Sequence, residues 1–369
     1  MKTYRGLLKI AIYFLLLEVA CGKVLWEFPT GFHNPQAMTL QKGHLYVAIK
    51  EGGVKVLTEK GGKPKVVSHI KRKQLANLDA MNLWLAGDTL FVALGDFFKK
   101  KGHAGLAVID VRIPSHPNVL SVWKSPTEMR GSAVVICDDR KRYAYLGVME
   151  YGILIFDLFD LKKPKLISSF RPDIHFPKKN PNRIQMPNAR GMMLTGKRMF
   201  LCNDAGGIRV LDLTDPRKPR EISRYINTGL KGKPSAYNNI YIDGDLAYAG
   251  VEILDIRKPE RIRQLAWWNP WKADTNANNW FNSPGHTNQI TFDKRNKILH
   301  LSAGDSELVS LDLSNPKRPK QLVGHGDPKN ERGVWGLCRS EQTVYLGYIK
   351  TIIPFRGTWA GIKAVKTPD

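Results

Sequence analysis

One pattern recurs through this chain and constrains its fold more than any other feature. It is a Gly, a short apolar strand closing on Asp, and then a turn bearing Pro. The clearest copy is Gly207-Ile208-Arg209-Val210-Leu211-Asp212-Leu213, followed by Asp215-Pro216-Arg217-Lys218-Pro219. Related copies are Gly105–Asp110, Gly152–Asp157, Glu252–Asp255 and Glu307–Asp312, and the Asp is missing from Gly53–Leu57 and Gly361–Val365. Leu57 to Val365 covers six steps of about 51 residues each, a period typical of propeller repeats.

Each unit reads as four short strands. In the fourth copy these are Arg190–Leu194, Arg198–Asn203, Ile208–Leu213 and Glu221–Tyr225, separated by turns at Thr195-Gly196-Lys197, Ala205-Gly206-Gly207 and Asp215–Pro219. Turn residues at this spacing, with no helical period after the N-terminus, predict all-β structure. A single four-stranded meander cannot bury both of its faces, so seven must pack around one axis. The seventh unit stops after its third strand, and Val24-Leu25-Trp26-Glu27-Phe28 is available to supply the fourth. The expectation is a seven-bladed β-propeller over residues 23–369, its last blade closed by an N-terminal strand that removes an exposed edge.

The motif of apolar residues closing on Asp, then x-Pro-x-x-Pro, resembles the LVIVD-repeat β-propellers of secreted and cell-surface proteins. The resemblance covers essentially everything after residue 24 and implies the fold. It brings no shared catalytic motif. The Asp is expected to cap the following turn by accepting backbone N–H bonds rather than to bind metal.

Residues 1–22 read as an export signal. Lys2, Arg5 and Lys9 precede the apolar run Ile10–Leu17, which is too short to span a bilayer. Two endings stay open: cleavage after Gly22, or lipidation of Cys21 in a degenerate lipobox that Glu18 weakens. Either places the protein outside the cytoplasm, secreted or in the cell envelope. Cys137, Cys202 and Cys338 are expected to be buried free thiols, and no Cys/His spacing suggests a metal site or a cofactor.

Charge is the second strong feature, with 57 Lys+Arg against 33 Asp+Glu and a net +24. Many cations fall in the turns between third and fourth strands: Lys162-Lys163, Arg217-Lys218, Arg257-Lys258 and Lys317-Arg318. These turns gather on one face as a basic ring, which is either a solvated collar or a contact for an anionic membrane surface or acidic glycan. The opposite face collects the irregular connections from each fourth strand to the next blade, where a site is more readily built.

Candidate ligand contacts on that face are Arg130, Asn238, Asn288, Trp267, Trp271, Trp280, Trp335, His175 and His325. With Arg190, Tyr237 and His286 near the axis, the set suits an acidic polysaccharide. Aromatic rings stack on sugar C–H faces, and Arg holds carboxylate or sulfate in a bidentate grip. Polysaccharide lyase activity by β-elimination is the runner-up, with His286, Tyr237 and Arg190 as base, acid and carboxylate neutraliser. A non-catalytic surface scaffold is third. Nucleic acid is not expected as the partner of an exported protein, and a monomer is expected.

Overall fold

The computed structural model describes residues 22–58, 63–177, 186–231, 235–270, 272, 287–322, 324–352 and 356–367. Among them, the strands form seven antiparallel sheets of four strands each, arranged as the blades of a propeller. Blade four is built from Gly191–Thr195, Arg198–Cys202, Ile208–Asp212 and Arg220–Tyr225, within a residue or two of the sequence expectation. Blade seven takes Gly333–Arg339, Thr343–Ile349 and Gly361–Lys366 from the C-terminal region and Val24–Pro29 as its outer strand. The closing register sets Val24 opposite Val365, Glu27 opposite Lys363 and Pro29 opposite Gly361.

The apolar core lies between blades. Val92 and Leu94 of blade two pack with Tyr46 and Val56 of blade one, and Phe200 and Val210 of blade four pack with Ile242 and Leu254 of blade five. Radial packing of this kind is why no single blade needs a core of its own. Cys137 and Cys202 are buried in these seams and Cys338 is half-buried, all three as free thiols.

The repeat Gly has a specific geometric duty. Gly53, Gly152 and Gly207 all have positive φ, at 83°, 81° and 77°, and a Cβ at any of them would sit 2.2 Å from a carbonyl oxygen of the outer strand. Only glycine combines that backbone with so close an approach. The repeat Asp caps its turn as expected. Asp110, Asp157, Asp212, Asp255 and Asp312 each accept the backbone N–H two residues on, over 2.8–3.1 Å.

A third repeat element was not read from the sequence. A serine in the outer strand donates to a carbonyl in the 3–4 turn of the next blade: Ser68 to Pro114 (2.7 Å), Ser121 to Leu161 (2.7 Å) and Ser168 to Pro216 (2.6 Å). Each sits beside a bulge that shifts the register of the outer strand. Ser168→Ala should lower stability by about 1 kcal/mol, the usual worth of one such bond. The check is a lower urea midpoint at unchanged slope.

The antiparallel order fixes two ends. The 1–2 and 3–4 turns share one, called here the turn face. The 2–3 loops and the connections between blades share the other, called the entry face.

Candidate functional site at the axial mouth

On the entry face, the chain at the start of four inner strands pairs with the 2–3 loop of the preceding blade. Isolated bridges join Lys50 to Ala80, Met149 to Ala189, Asp204 to Tyr237 and Gly304 to Val334. The next residue in three of these four series is Met81, Arg190 or Trp335, and these meet at the axis. Met81 and Trp335 pack there with Phe97, Ala133, Met149 and Ile349. The Arg190 guanidinium lies over the rings of Phe97 (4.7 Å) and Trp335 (5.3 Å). Arg190 from blade four thereby reaches side chains of blades two and seven.

Phe97 comes from a long 2–3 loop of blade two, residues 95–104, which folds over the axis. The loop follows Gly95, at φ 97°, where a Cβ would collide with the His103 carbonyl at 2.0 Å. Phe98, also from this loop, is 44% exposed and meets Trp335 edge-on at 5.5 Å. Lys99, Lys100 and Lys101 follow on its exposed rim.

The charges around the mouth differ in how far they are neutralised. Lys50 pairs with Glu51 and Asp96, both at 3.2 Å, and the buried Asp79 pairs with Arg72 at 2.7 Å. Arg130 donates to the Phe97 carbonyl through Nε (3.0 Å) and faces Glu150 at 3.4 Å, so it braces the loop. Arg190 is not neutralised in this way: among the described residues no carboxylate lies within 4.0 Å of it. Burial lowers its pKa to about 10, which leaves it cationic at neutral pH.

Asp204 is the nearest acidic influence on Arg190. It is buried, with Asn188 donating to Oδ2 at 3.2 Å and Oδ1 left without a partner. Burial pushes its pKa up to about 7, against the opposing pull of Arg190. Near neutrality the carboxyl is therefore partly protonated, and the mouth is net positive at Arg190.

Of the residues singled out in the sequence, the mouth gathers Arg130, Arg190 and Trp335. Tyr237 does not open to the axis and is corrected accordingly. It is 3% exposed in the seam between blades four and five, where its hydroxyl donates to Glu252 (2.8 Å) and accepts from the Asn227 N–H (3.2 Å). Burial and the Glu252 carboxylate raise its pKa well above the usual phenol value. Asn238 follows Tyr237 in the axial register and ties blade five to the Thr287 carbonyl at 3.0 Å. Asn288 is likewise buried.

The remaining candidates lie elsewhere. Trp267 ends the outer strand of blade five and covers Gly229. His175 is exposed in the connection after blade three. His325, half-buried beside Glu307 (3.6 Å), sits where the outer edge of blade six meets Gly22, and burial lowers its pKa. Trp271, Trp280 and His286 lie outside the described residues. What the sequence reading missed is the 95–104 loop and the carboxylates of the 2–3 loops, Asp96, Glu150 and Asp204. The available signal was length, since the corresponding segment of blade four closes within Asn203–Gly207.

The architecture so described is a seven-bladed propeller whose axis is stoppered by aromatic side chains on one face. The model of the LVIVD repeat family matches residues 79–123, which is blade two from its inner to its outer strand. The match spans one blade of the ring, and the fold is a seven-bladed β-propeller.

Among solved structures the chain is similar to the RRP9 WD40 repeats, with 9% identity, a TM-score of 0.65, and coverage of 94% of this chain and 98% of that one. A chain of a Mitotic Checkpoint Complex gives 10% identity and a TM-score of 0.64, over 94% and 96%. Sqt1 of Saccharomyces cerevisiae gives 9% and 0.58, over 89% and 84%. At such identities the likeness concerns the fold alone. No curated protein matches the chain.

Proposed function

We propose that the axial mouth binds an acidic polysaccharide, carrying uronate or sulfate groups, as a recognition module of an exported protein. The observation that carries this reading is Arg190, a cation with no carboxylate within 4.0 Å among the described residues, its guanidinium lying over the rings of Phe97 and Trp335. A guanidinium carries several N–H donors that can grip a planar anion in bidentate fashion. Phe98 adds an exposed aromatic face for sugar C–H groups, and Lys99–Lys101 add a basic rim. Binding is favoured over elimination because Tyr237, needed as the acid of a lyase, keeps its hydroxyl on Glu252 away from the mouth.

The test is calorimetric titration of heparin and polygalacturonate at low salt, alongside an ultraviolet assay for unsaturated product. Arg190→Ala should weaken binding about 30-fold, corresponding to about 2 kcal/mol for an unpaired anion. A double substitution of Arg217 and Lys218 on the turn face should leave affinity unchanged, and no product should form. Equal losses from both variants would mean diffuse charge attraction, and wild-type protein that binds neither polymer would defeat the reading.

A further inference from the structure

The turn face carries features that the mouth does not use. Its carboxylates are largely directed into their own turns. Beyond the repeat Asp caps, Asp160 and Asp215 accept the N–H groups of Lys162 (2.9 Å) and Arg217 (3.0 Å), and Asn315 does the same for Lys317 (3.1 Å). The cations point outward. Lys162, Lys163, Arg217, Lys218, Lys317 and Arg318 are exposed, and among the described residues none has a carboxylate within 4.0 Å.

Two apolar side chains project from the same surface. Phe159 is 88% exposed and Ile113 is 60% exposed, in the 3–4 turns of the neighbouring blades three and two. Neither turn needs them for packing, because the residues that anchor those turns are the buried Leu158 and Val111. The Arg142 guanidinium lies 5.3 Å from the Phe159 ring, so a cation flanks the apolar tip. Protruding apolar tips within a basic surface match a bilayer interface, where rings enter the acyl boundary while Lys and Arg meet lipid phosphates.

A second observation is the direction of the closing strand. Val24–Pro29 runs from the turn face to the entry face, and Gly22 donates to the Lys366 carbonyl (3.2 Å) at the turn-face end. Gly22 also packs against Gly324 and His325, so this end of the described chain lies along the outer edge of the ring beside blade six.

We propose that the turn face docks on an anionic lipid bilayer, with Phe159 and Ile113 inserting between headgroups and the ring of Lys and Arg contacting phosphates. The axial mouth then faces away from the membrane. An acidic glycan is the weaker occupant for this face, because an aliphatic tip such as Ile113 offers it nothing while a bilayer buries it.

The test is cosedimentation of the full chain with phosphatidylcholine vesicles, with and without phosphatidylglycerol. Binding is expected only with phosphatidylglycerol, and should fall as salt rises. The double variant Phe159→Ser, Ile113→Ser should lower the partition coefficient about tenfold or more, with its melting temperature unchanged because both side chains are exposed. Lys162→Glu with Lys163→Glu should do the same, whereas Arg190→Ala should not. Equal binding to neutral vesicles, or no effect of the serine pair, would overturn the proposal. So would absence of vesicle binding in a protein whose turn-face variants lose heparin instead.

Discussion

Removing the N-terminal strand Val24–Pro29 should destabilise the whole ring, lowering the melting temperature by roughly 10 °C and promoting aggregation. The strand alternates, with Val24, Trp26 and Phe28 half-buried and Leu25 and Glu27 exposed. Trp26 lies 5.8 Å from the ring of Tyr345, and with Phe28 it packs against Leu45 and Val47 of blade one and Ile362 and Ala364 of blade seven. Burying each aromatic contributes about 2 kcal/mol, and the pairing to Gly361–Lys366 adds to that. Without the strand, Gly361–Lys366 becomes a free edge open to pairing with other chains. Point variants separate this from a general effect of truncation. Trp26→Ala should reproduce a large part of the loss and Leu25→Ser almost none. Equal effects at the two positions would mean that the register is wrong.

The ring was legible in the sequence because its determinants repeat. Gly at a positive φ, Asp at a turn and alternating apolar strands are local requirements, and each recurs at a fixed offset. Even the closing strand followed from counting, since a seventh blade with three strands leaves a vacancy that Val24–Phe28 fits. The axial mouth was less legible because its geometry depends on one-residue register. The bridged positions are Ala80, Ala189, Tyr237 and Val334, and successive side chains of an extended chain point to opposite sides. Arg190 and Trp335 follow a bridged residue and meet at the axis, whereas Tyr237 is itself bridged and turns into the blade seam. The 95–104 loop escaped notice for a different reason. The repeat defines where a loop begins and ends, but where an inserted loop folds depends on contacts with other blades.

Buried charge was hidden in the same way. The repeat position that is Ala107 in blade two is Arg209 in blade four, and a cation within an apolar strand would be expected to reach solvent. Arg209 is instead fully buried. Its Nε donates to the Gly206 carbonyl (3.0 Å), one terminal nitrogen to Glu221 (3.0 Å) and the other to the Asp173 carbonyl (2.8 Å), and the guanidinium stacks on Phe176 at 4.7 Å. Arg224 lies 5.0 Å from the same ring and pairs with Glu221 at 2.7 Å. Burial lowers the Arg209 pKa and Glu221 opposes the shift.

Arg209→Ala should therefore lower stability by about 3–5 kcal/mol, because it strips a buried cation from two carbonyls and a carboxylate that have been arranged around it. The chemical-denaturation midpoint measures this directly. The loss should also be local: Asp173 and Phe176 hold the connection that bears His175, so limited proteolysis within 171–177 should accelerate before the ring melts. Arg209→Met, which keeps the length and packing of the side chain, should recover part of the stability but not the protease resistance. Glu221→Ala added to Arg209→Ala should cost less than the sum of the two single changes, as expected for partners in one network. A loss for Arg209→Ala below about 1 kcal/mol would mean that the cluster is a solvated ion pair in solution, without the burial that gives it its value.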